Sequence, residues 1–169
     1  KKDAQLLFRL VNFSQPKSIL ELGTSLGITT MYLAFVNSNT PCVTIEGSPS
    51  VYNLAVENFK QYKLRNIEAH CGSIDEILPK ILAKKKFDFI FIDANHTYDA
   101  TLRYFNLCLE SLASRALIVV DDIHSSKEMY QAWKELSSHQ RVQVSIDIFT
   151  MGILIFDKEV QKGKYKIRR

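Results

Sequence analysis

Four short apolar runs of this chain each contain a carboxylate residue at or near their carboxyl end. The runs are SILEL, CVTIE, FDFIFID and ALIVVD, and the acids are Glu21, Glu46, Asp93 and Asp121. A fifth run, IEAHC, is followed by glycine and serine. Parallel strands bring their carboxyl ends to one edge of a sheet, and α/β proteins bind their ligands there. One acid could stand there by chance, but four of five predict a functional site.

The spacing around the first two acids indicates which ligand such a site would take. Gly23 and Gly27 let the backbone turn tightly, but their G-x-x-x-G spacing differs from the G-x-G-x-x-G of dinucleotide-binding loops. Glu21 would repel a pyrophosphate there and suits an ammonium group. Glu46 can accept hydrogen bonds from both hydroxyls of a ribose. The residues therefore suit a ligand that has an ammonium group and a ribose but no phosphate, and S-adenosylmethionine is such a ligand. Taken alone, the glycines could be turn residues and Glu46 a solvated strand end.

Periodicity predicts the elements that must position these residues. The predicted strands are residues 18–22, 42–46, 67–71, 87–93, 116–121, 142–149 and 152–156, and the predicted helices are residues 4–13, 25–36, 49–62, 74–83 (capped by Ser73), 98–111 and 127–137. Five βα units predict an α/β, doubly wound, mostly parallel seven-stranded sheet with helices on both faces. Only two residues separate the last two strands, which predicts a C-terminal antiparallel hairpin.

The composition limits the classes of protein to which this chain can belong. The chain has 169 residues, 46% of them hydrophobic and 24% charged, which predicts one soluble domain and excludes a disordered chain, a collagen, a coiled coil and a membrane-spanning protein. Its net charge of +4 comes from residues 158–169, which hold six basic residues and one acid; the rest has 16 basic and 17 acidic residues. We therefore divide the chain into a domain, residues 1–157, and a solvated basic tail, residues 158–169.

The cysteines Cys42, Cys71 and Cys108 are odd in number and widely spaced. This pattern predicts buried free thiols in a reducing compartment, and so a cytoplasmic protein. It offers neither a disulfide framework nor a C-x-x-C zinc site.

The segments E-L-G-T-S-L-G-I-T-T, I-E-G-S and F-D-F-I-F-I-D resemble the class I S-adenosylmethionine-dependent methyltransferases. The resemblance extends from Ser18 to Phe156 and implies the Rossmann-like methyltransferase fold. It is greatest to the O-methyltransferase branch that includes catechol, caffeoyl-CoA and macrolide sugar enzymes. In that branch the middle glycine of the first loop is often replaced, as it is here by Ser25.

The resemblance implies a cofactor site at the strand ends. The methionine moiety would lie against the first loop, the ribose beside the end of the second strand, the adenine beside the end of the third, and the reacting group beside the fourth. The residues so implied are Glu21, Gly23, Thr24, Ser25 and Gly27 for methionine, Glu46 and Gly47 for ribose, Gly72, Ser73 and Ile74 for adenine, and Asp93 at the junction of cofactor and substrate.

The same branch implies two catalytic devices. Asp93, Asp121 and Asp122 occupy the positions that hold Mg²⁺ or another divalent metal in those enzymes, and three oxygen ligands suit such an ion. His96 stands where the sugar-modifying relatives have a histidine that acts as general base, and a neutral imidazole can take a hydroxyl proton near pH 7. His124 is a second candidate base. The alternatives are that the aspartates cap a helix, that Asp93 touches only the cofactor, and that each histidine is a loop residue.

These observations predict an S-adenosylmethionine-dependent O-methyltransferase that acts on a small hydroxylated acceptor. A non-catalytic S-adenosylmethionine-binding protein of the same fold is a second hypothesis, and a nicotinamide-dependent oxidoreductase is disfavoured by the loop spacing. A nucleic-acid methyltransferase is suggested only by the basic tail, and no membrane partner is expected. The short lead-in before the first strand predicts an open acceptor site, or one completed by a preceding segment that forms a lid and a homodimer contact.

Overall fold

A computed structural model describes residues 2–168 of the chain. Helices and strands alternate along it until the last three strands. The helices are α1 (Lys2–Ser14), α2 (Ile28–Ala34), α3 (Pro49–Gln61), α4 (Ile74–Leu82), α5 (Tyr98–Glu110) and α6 (Lys127–Leu136). The strands are β1 (Ile19–Leu22), β2 (Cys42–Glu46), β3 (Ile67–Cys71), β4 (Phe87–Ile92), β5 (Leu112–Asp121), β6 (Val144–Asp147), β7 (Met151–Ile155) and β8 (Gly163–Lys166).

The strands form one sheet in the order β3-β2-β1-β4-β5-β7-β6-β8. This confirms the predicted α/β fold with its antiparallel C-terminal hairpin, but the predicted number of seven strands is wrong. The eighth strand, β8, comes from the basic segment and pairs parallel with β6. Its sequence GKYK is mostly exposed, so it lacks the apolar run by which the inner strands are recognised. Lysines are common on such edge strands because they discourage further pairing.

The chain divides into two compact units, one ending at Phe87 and the other beginning at Asp88. In the first unit β1, β2 and β3 are parallel neighbours, with Ile19 opposite Cys42 and Cys42 opposite Ile67. β1 is buried along its whole length. Such unbroken burial is typical of a strand that is covered on both faces.

In the second unit β7 runs antiparallel to both β5 and β6. The hairpin packs closely against α6: Gly152 of β7 lies so near the ring of Trp133 that a methyl group there would overlap the indole. Trp133 is accordingly buried, in agreement with its predicted place in the core.

Two local expectations differ from the structure. Helix α2 begins at Ile28 rather than at Ser25, because Ser25 and Gly27 both have positive φ, 49° and 77°, which a helix does not accept. Cys71 is exposed, unlike Cys42 and Cys108, because it ends the edge strand β3. Burial raises the pKa of Cys108 to about 12. Across residues 2–168, no helix is long and apolar enough to cross a membrane.

Candidate active site

The loop between β1 and α2 is a tight backbone structure built on left-handed residues. Gly23, Ser25 and Gly27 have φ values of 96°, 49° and 77°. The N–H groups of Gly23 and Thr24 both donate to the carbonyl of Ile45, at 3.0 and 3.2 Å, so the loop is tied to the end of β2. Left-handed backbone in a non-glycine residue costs free energy and is concentrated at functional sites.

The carboxylate of Glu46 links the loop between β1 and α2 to the segment that follows β2. Its Oε2 accepts the N–H of Ser25 at 2.9 Å, and its Oε1 accepts the N–H of Ser48 at 2.9 Å. A carboxylate can accept about four hydrogen bonds, so two backbone donors leave capacity for a ligand. Glu46 is half-buried, and its side chain is therefore both fixed in orientation and accessible.

Glu21 lies in the interior instead. It is 0% exposed, and its Oε2 accepts hydrogen bonds from the hydroxyls of Thr30 and Thr44. Thr44 is also 2.6 Å from the hydroxyl of Thr24. Glu21 thus belongs to a buried polar network that joins β1, β2, α2 and the loop, and its predicted contact with a ligand ammonium group stays a prediction.

The remaining predicted cofactor residues follow β2 and β3. Gly72 has φ 141°, and its N–H donates to the Glu46 carbonyl at 2.8 Å. Ser73 is the N-cap residue of α4, although its side chain makes no capping hydrogen bond. Ile74 is buried and Gly47 is exposed with open space around it. Since β1, β2 and β3 are parallel, all these predicted residues of the first unit lie at one edge of the sheet.

The second unit carries the acids and the histidine predicted to act in catalysis. His96 follows β4 by four residues, and both Asn95 and His96 have positive φ, 62° and 42°. The Nε2 of His96 lies 3.2 Å from Oδ1 of Asp93, and its Nδ1 lies 4.0 Å from Oδ2 of Asp122. Burial, and secondarily the charge of Asp122, raises the pKa of Asp93, while His96 opposes this rise. The structure therefore places His96 between two of the predicted acids.

The three predicted metal ligands do not form a metal centre in this arrangement. Asp121 ends β5, and Asp122 follows it with φ 55° and a mostly exposed side chain. In the described part of the chain, no group of three or more histidine, cysteine, aspartate or glutamate side chains is placed so that it could hold a metal ion. The metal role of Asp93, Asp121 and Asp122 stays a prediction, and we assign no step to a metal.

His124, the second candidate base, makes a contact that the sequence analysis missed. Its Nε2 lies 2.9 Å from Oδ2 and 3.1 Å from Oδ1 of Asp147, at the end of β6. Tyr130 and Phe149 stack on its two faces. One signal for this pair was present in the sequence: Asp147 is the only charged residue of the run VSIDIF.

Comparison with known proteins agrees with this fold. The methyltransferase domain family matches residues 20–123. O-methyltransferase imqG of Aspergillus flavus is 33% identical over 68% of this chain and 49% of its own length. A catechol O-methyltransferase of Niastella koreensis is 31% identical over 68% and 52%. The chain spans about half the length of these curated relatives.

A solved structure shows the same fold. The O-methyltransferase TomG from Streptomyces achromogenes, determined in complex with S-adenosylmethionine, superposes with a TM-score of 0.79 at 23% identity, over 92% of this chain and 80% of that one. The chain belongs to the methyltransferase domain family, and the two curated relatives named above are O-methyltransferases.

Proposed function

We propose that this protein binds S-adenosylmethionine and transfers its methyl group to a hydroxyl oxygen of a small acceptor. The observation that carries the proposal is Glu46, whose two oxygens are held by the N–H groups of Ser25 and Ser48 at 2.9 Å each. That geometry orients the free lone pairs of the carboxylate before any ligand arrives. Family membership and the S-adenosylmethionine complex of TomG support the same cofactor.

Glu46 would accept hydrogen bonds from the two ribose hydroxyls, and the loop from Gly23 to Gly27 would lie along the methionine moiety. S-adenosylmethionine supplies an electrophilic methyl group on a sulfonium. Gly72, Ser73 and Ile74 would border the adenine. The buried Glu21 supports this site by holding Thr30 and Thr44 in place.

The acceptor must lose a proton, because a neutral hydroxyl is a poor nucleophile. We propose His96 as the group that takes this proton. The Nε2 of His96 lies 3.2 Å from Oδ1 of Asp93. In the tautomer that carries its proton on Nε2, the lone pair of Nδ1 would take the proton of the acceptor hydroxyl. Asp122, 4.0 Å from Nδ1, would then stabilise the imidazolium that forms. General-base catalysis of this kind contributes roughly 10²–10⁴ in rate.

Calorimetric titration with S-adenosylhomocysteine, the product cofactor, tests the binding half of the proposal. We expect a saturable signal with the wild type and none with NAD⁺. Glu46→Ala should weaken binding about 10- to 100-fold, because hydrogen bonds to a charged group contribute about 1.5–3 kcal/mol. Glu57→Ala is the matched control, since Glu57 is an exposed glutamate of α3. Absence of heat with S-adenosylhomocysteine, or equal binding by both variants, contradicts the proposal.

Methyl transfer from radiolabelled S-adenosylmethionine to a panel of a catechol, a simple phenol and a sugar tests the chemical half. His96→Gln should reduce turnover by at least about 10²-fold without changing the dissociation constant of S-adenosylhomocysteine. A protein that binds S-adenosylhomocysteine but methylates no hydroxyl compound would be a binding protein of this fold, and the enzymatic proposal would be withdrawn. The free thiols of the chain support a cytoplasmic location for this activity.

A further inference from the structure

The residues around His124 form a layered cluster in the second unit. The ring of Tyr130 stacks on one face of the imidazole at 4.8 Å and 25°, and the ring of Phe149 stacks on the other at 5.0 Å and 10°. The side chains of His124 and Asp147 are only 15% and 10% exposed. The imidazole is therefore held by two stacking contacts and a hydrogen bond to a carboxylate, and it has little freedom to rotate.

Asp147 connects this imidazole to two further segments. Its Oδ1 accepts the N–H of Phe149 at 2.9 Å, which holds Phe149 at φ 73° at the tip of the β6–β7 hairpin. Its Oδ2 lies 3.8 Å from Nζ of Lys166 in β8, and its carbonyl accepts the N–H of Ile167 at 2.8 Å. One carboxylate thus ties the loop after β5 to the hairpin and to the basic C-terminal segment.

The loop that His124 anchors also carries Asp122. Asp122 has φ 55°, a left-handed conformation that residues other than glycine seldom adopt, although aspartate does so more readily than most. Such a conformation persists only where the surrounding structure enforces it. Two residues after Asp122 the chain is held by His124, and between them Ile123 is 0% exposed. The Asp122 carboxylate lies 4.0 Å from Nδ1 of His96.

We propose that His124, through its contact with Asp147, is a positioning residue that holds the loop after β5 so that Asp122 stays beside His96. The inference rests on the proposed function, in which His96 accepts the proton of the acceptor hydroxyl. It also assigns a role to the basic segment: Lys166 of β8 helps to hold Asp147. His124 itself transfers no proton to or from the acceptor.

Kinetic comparison of matched histidine variants of the full chain tests this role. His124→Ala should lower kcat for the methylated acceptor at least about tenfold, because a displacement of about 1 Å in an active site can cost 10²-fold. The KM for S-adenosylmethionine and the dissociation constant of S-adenosylhomocysteine should change less than twofold. His124→Gln places an N–H donor near the position of Nε2 and should restore most of kcat.

His139→Ala is the control, because His139 also packs an imidazole against an aromatic ring, that of Phe105 at 5.5 Å, but lies outside the cluster. It should leave kcat unchanged. An equal loss of kcat in His139→Ala and His124→Ala, or failure of His124→Gln to restore kcat, would overturn the positioning role.

Amide hydrogen exchange measured by NMR tests the same inference without activity. The N–H of Ser125 donates to the Asp122 carbonyl at 3.0 Å, so it reports directly on the loop. We expect His124→Ala to speed exchange at Ser125 and to shift the imidazole ¹⁵N resonances of His96, with neither change in His139→Ala. Unchanged Ser125 exchange and His96 resonances in His124→Ala would refute the inference whether or not the protein proves to be a methyltransferase.

Discussion

Gly27 is a position at which one added methyl group should destabilise the first unit. Its φ of 77° is left-handed, and it is the N-cap residue of α2. A methyl carbon built there would lie 2.7 Å from Cζ of Phe59 and 3.2 Å from Cβ of Ala55. Ordinary van der Waals contact is 3.4–4 Å. Both neighbours are buried in α3, at 5% and 0% exposure, and have little room to move.

Three contributions determine the effect of Gly27→Ala on the free energy of unfolding. The left-handed backbone costs alanine about 1–2 kcal/mol, and the overlap with the Phe59 ring costs about 1–3 kcal/mol. The loss of conformational freedom in the unfolded chain offsets this by about 0.4–1 kcal/mol. We expect Gly27→Ala to be less stable than the wild type by about 2–4 kcal/mol.

Urea denaturation without ligand, followed by circular dichroism, measures this difference. With an m-value of about 2 kcal/mol/M, the midpoint should fall by about 1–2 M. Gly47→Ala is the control, because a methyl group at Gly47 meets nothing within 4 Å; its stability should lie within about 0.5 kcal/mol of the wild type.

A double-mutant cycle then separates the overlap from the backbone strain. If the Phe59 ring is the obstacle, Gly27→Ala should cost about 1 kcal/mol less in a Phe59→Leu background than in the wild type. A loss below 1 kcal/mol for Gly27→Ala, or a loss equal to that of Gly47→Ala, would refute the reasoning.

Three further predictions concern titratable groups. Burial raises the pKa of Asp93, so the stability of the protein should decline as the pH rises from the pKa of Asp93 in the unfolded chain to its pKa in the folded one. Asp93→Asn should therefore raise the free energy of unfolding at pH 7. A lower free energy of unfolding for this variant, measured by urea denaturation, would contradict the prediction. Burial alone would raise the pKa of Asp147, but hydrogen bonds from His124 and the Phe149 N–H outweigh it and the pKa is lowered. The stability that Asp147 contributes should therefore be present above about pH 4 and lost as the pH falls further. The difference in free energy of unfolding between the wild type and Asp147→Asn should then shrink in acid. A difference that does not change with pH would contradict the prediction. A thiol reagent should label Cys71 in the folded protein and the two buried cysteines only after unfolding. Mass spectrometry of the labelled protein measures this, and rapid labelling of all three cysteines in the folded protein would contradict the prediction.

Much of the fold could be predicted because β1, β2 and β4 are almost wholly buried. The runs that become β1, β2 and β4 are mainly apolar, and each is bounded by residues that turn the chain, so their positions can be predicted from the sequence. Strand β8 was not predicted, because an exposed edge strand needs no apolar residues. The left-handed Ser25 was also missed, since an ordinary serine does not reveal that the backbone turns there before α2 begins.

The candidate site likewise has features that the sequence predicts and features that it does not. Glu46 and the loop from Gly23 to Gly27 could be identified from the sequence, because residue type and spacing already restrict the ligand that they suit. The partners that orient Glu46, the N–H groups of Ser25 and Ser48, are backbone atoms and have no sequence signal. The burial of Glu21 among threonines is likewise visible only in three dimensions.

The class of fold, the position of the acids at the strand ends and the family of the chain could all be predicted from the sequence, because they depend on local pattern and on order along the chain. Which polar side chains contact one another became visible in the three-dimensional structure alone. It placed His96 between Asp93 and Asp122 and joined His124 to Asp147, 23 residues away. Such contacts arise from strand pairing and loop conformation between distant segments, and no periodicity in the chain encodes them.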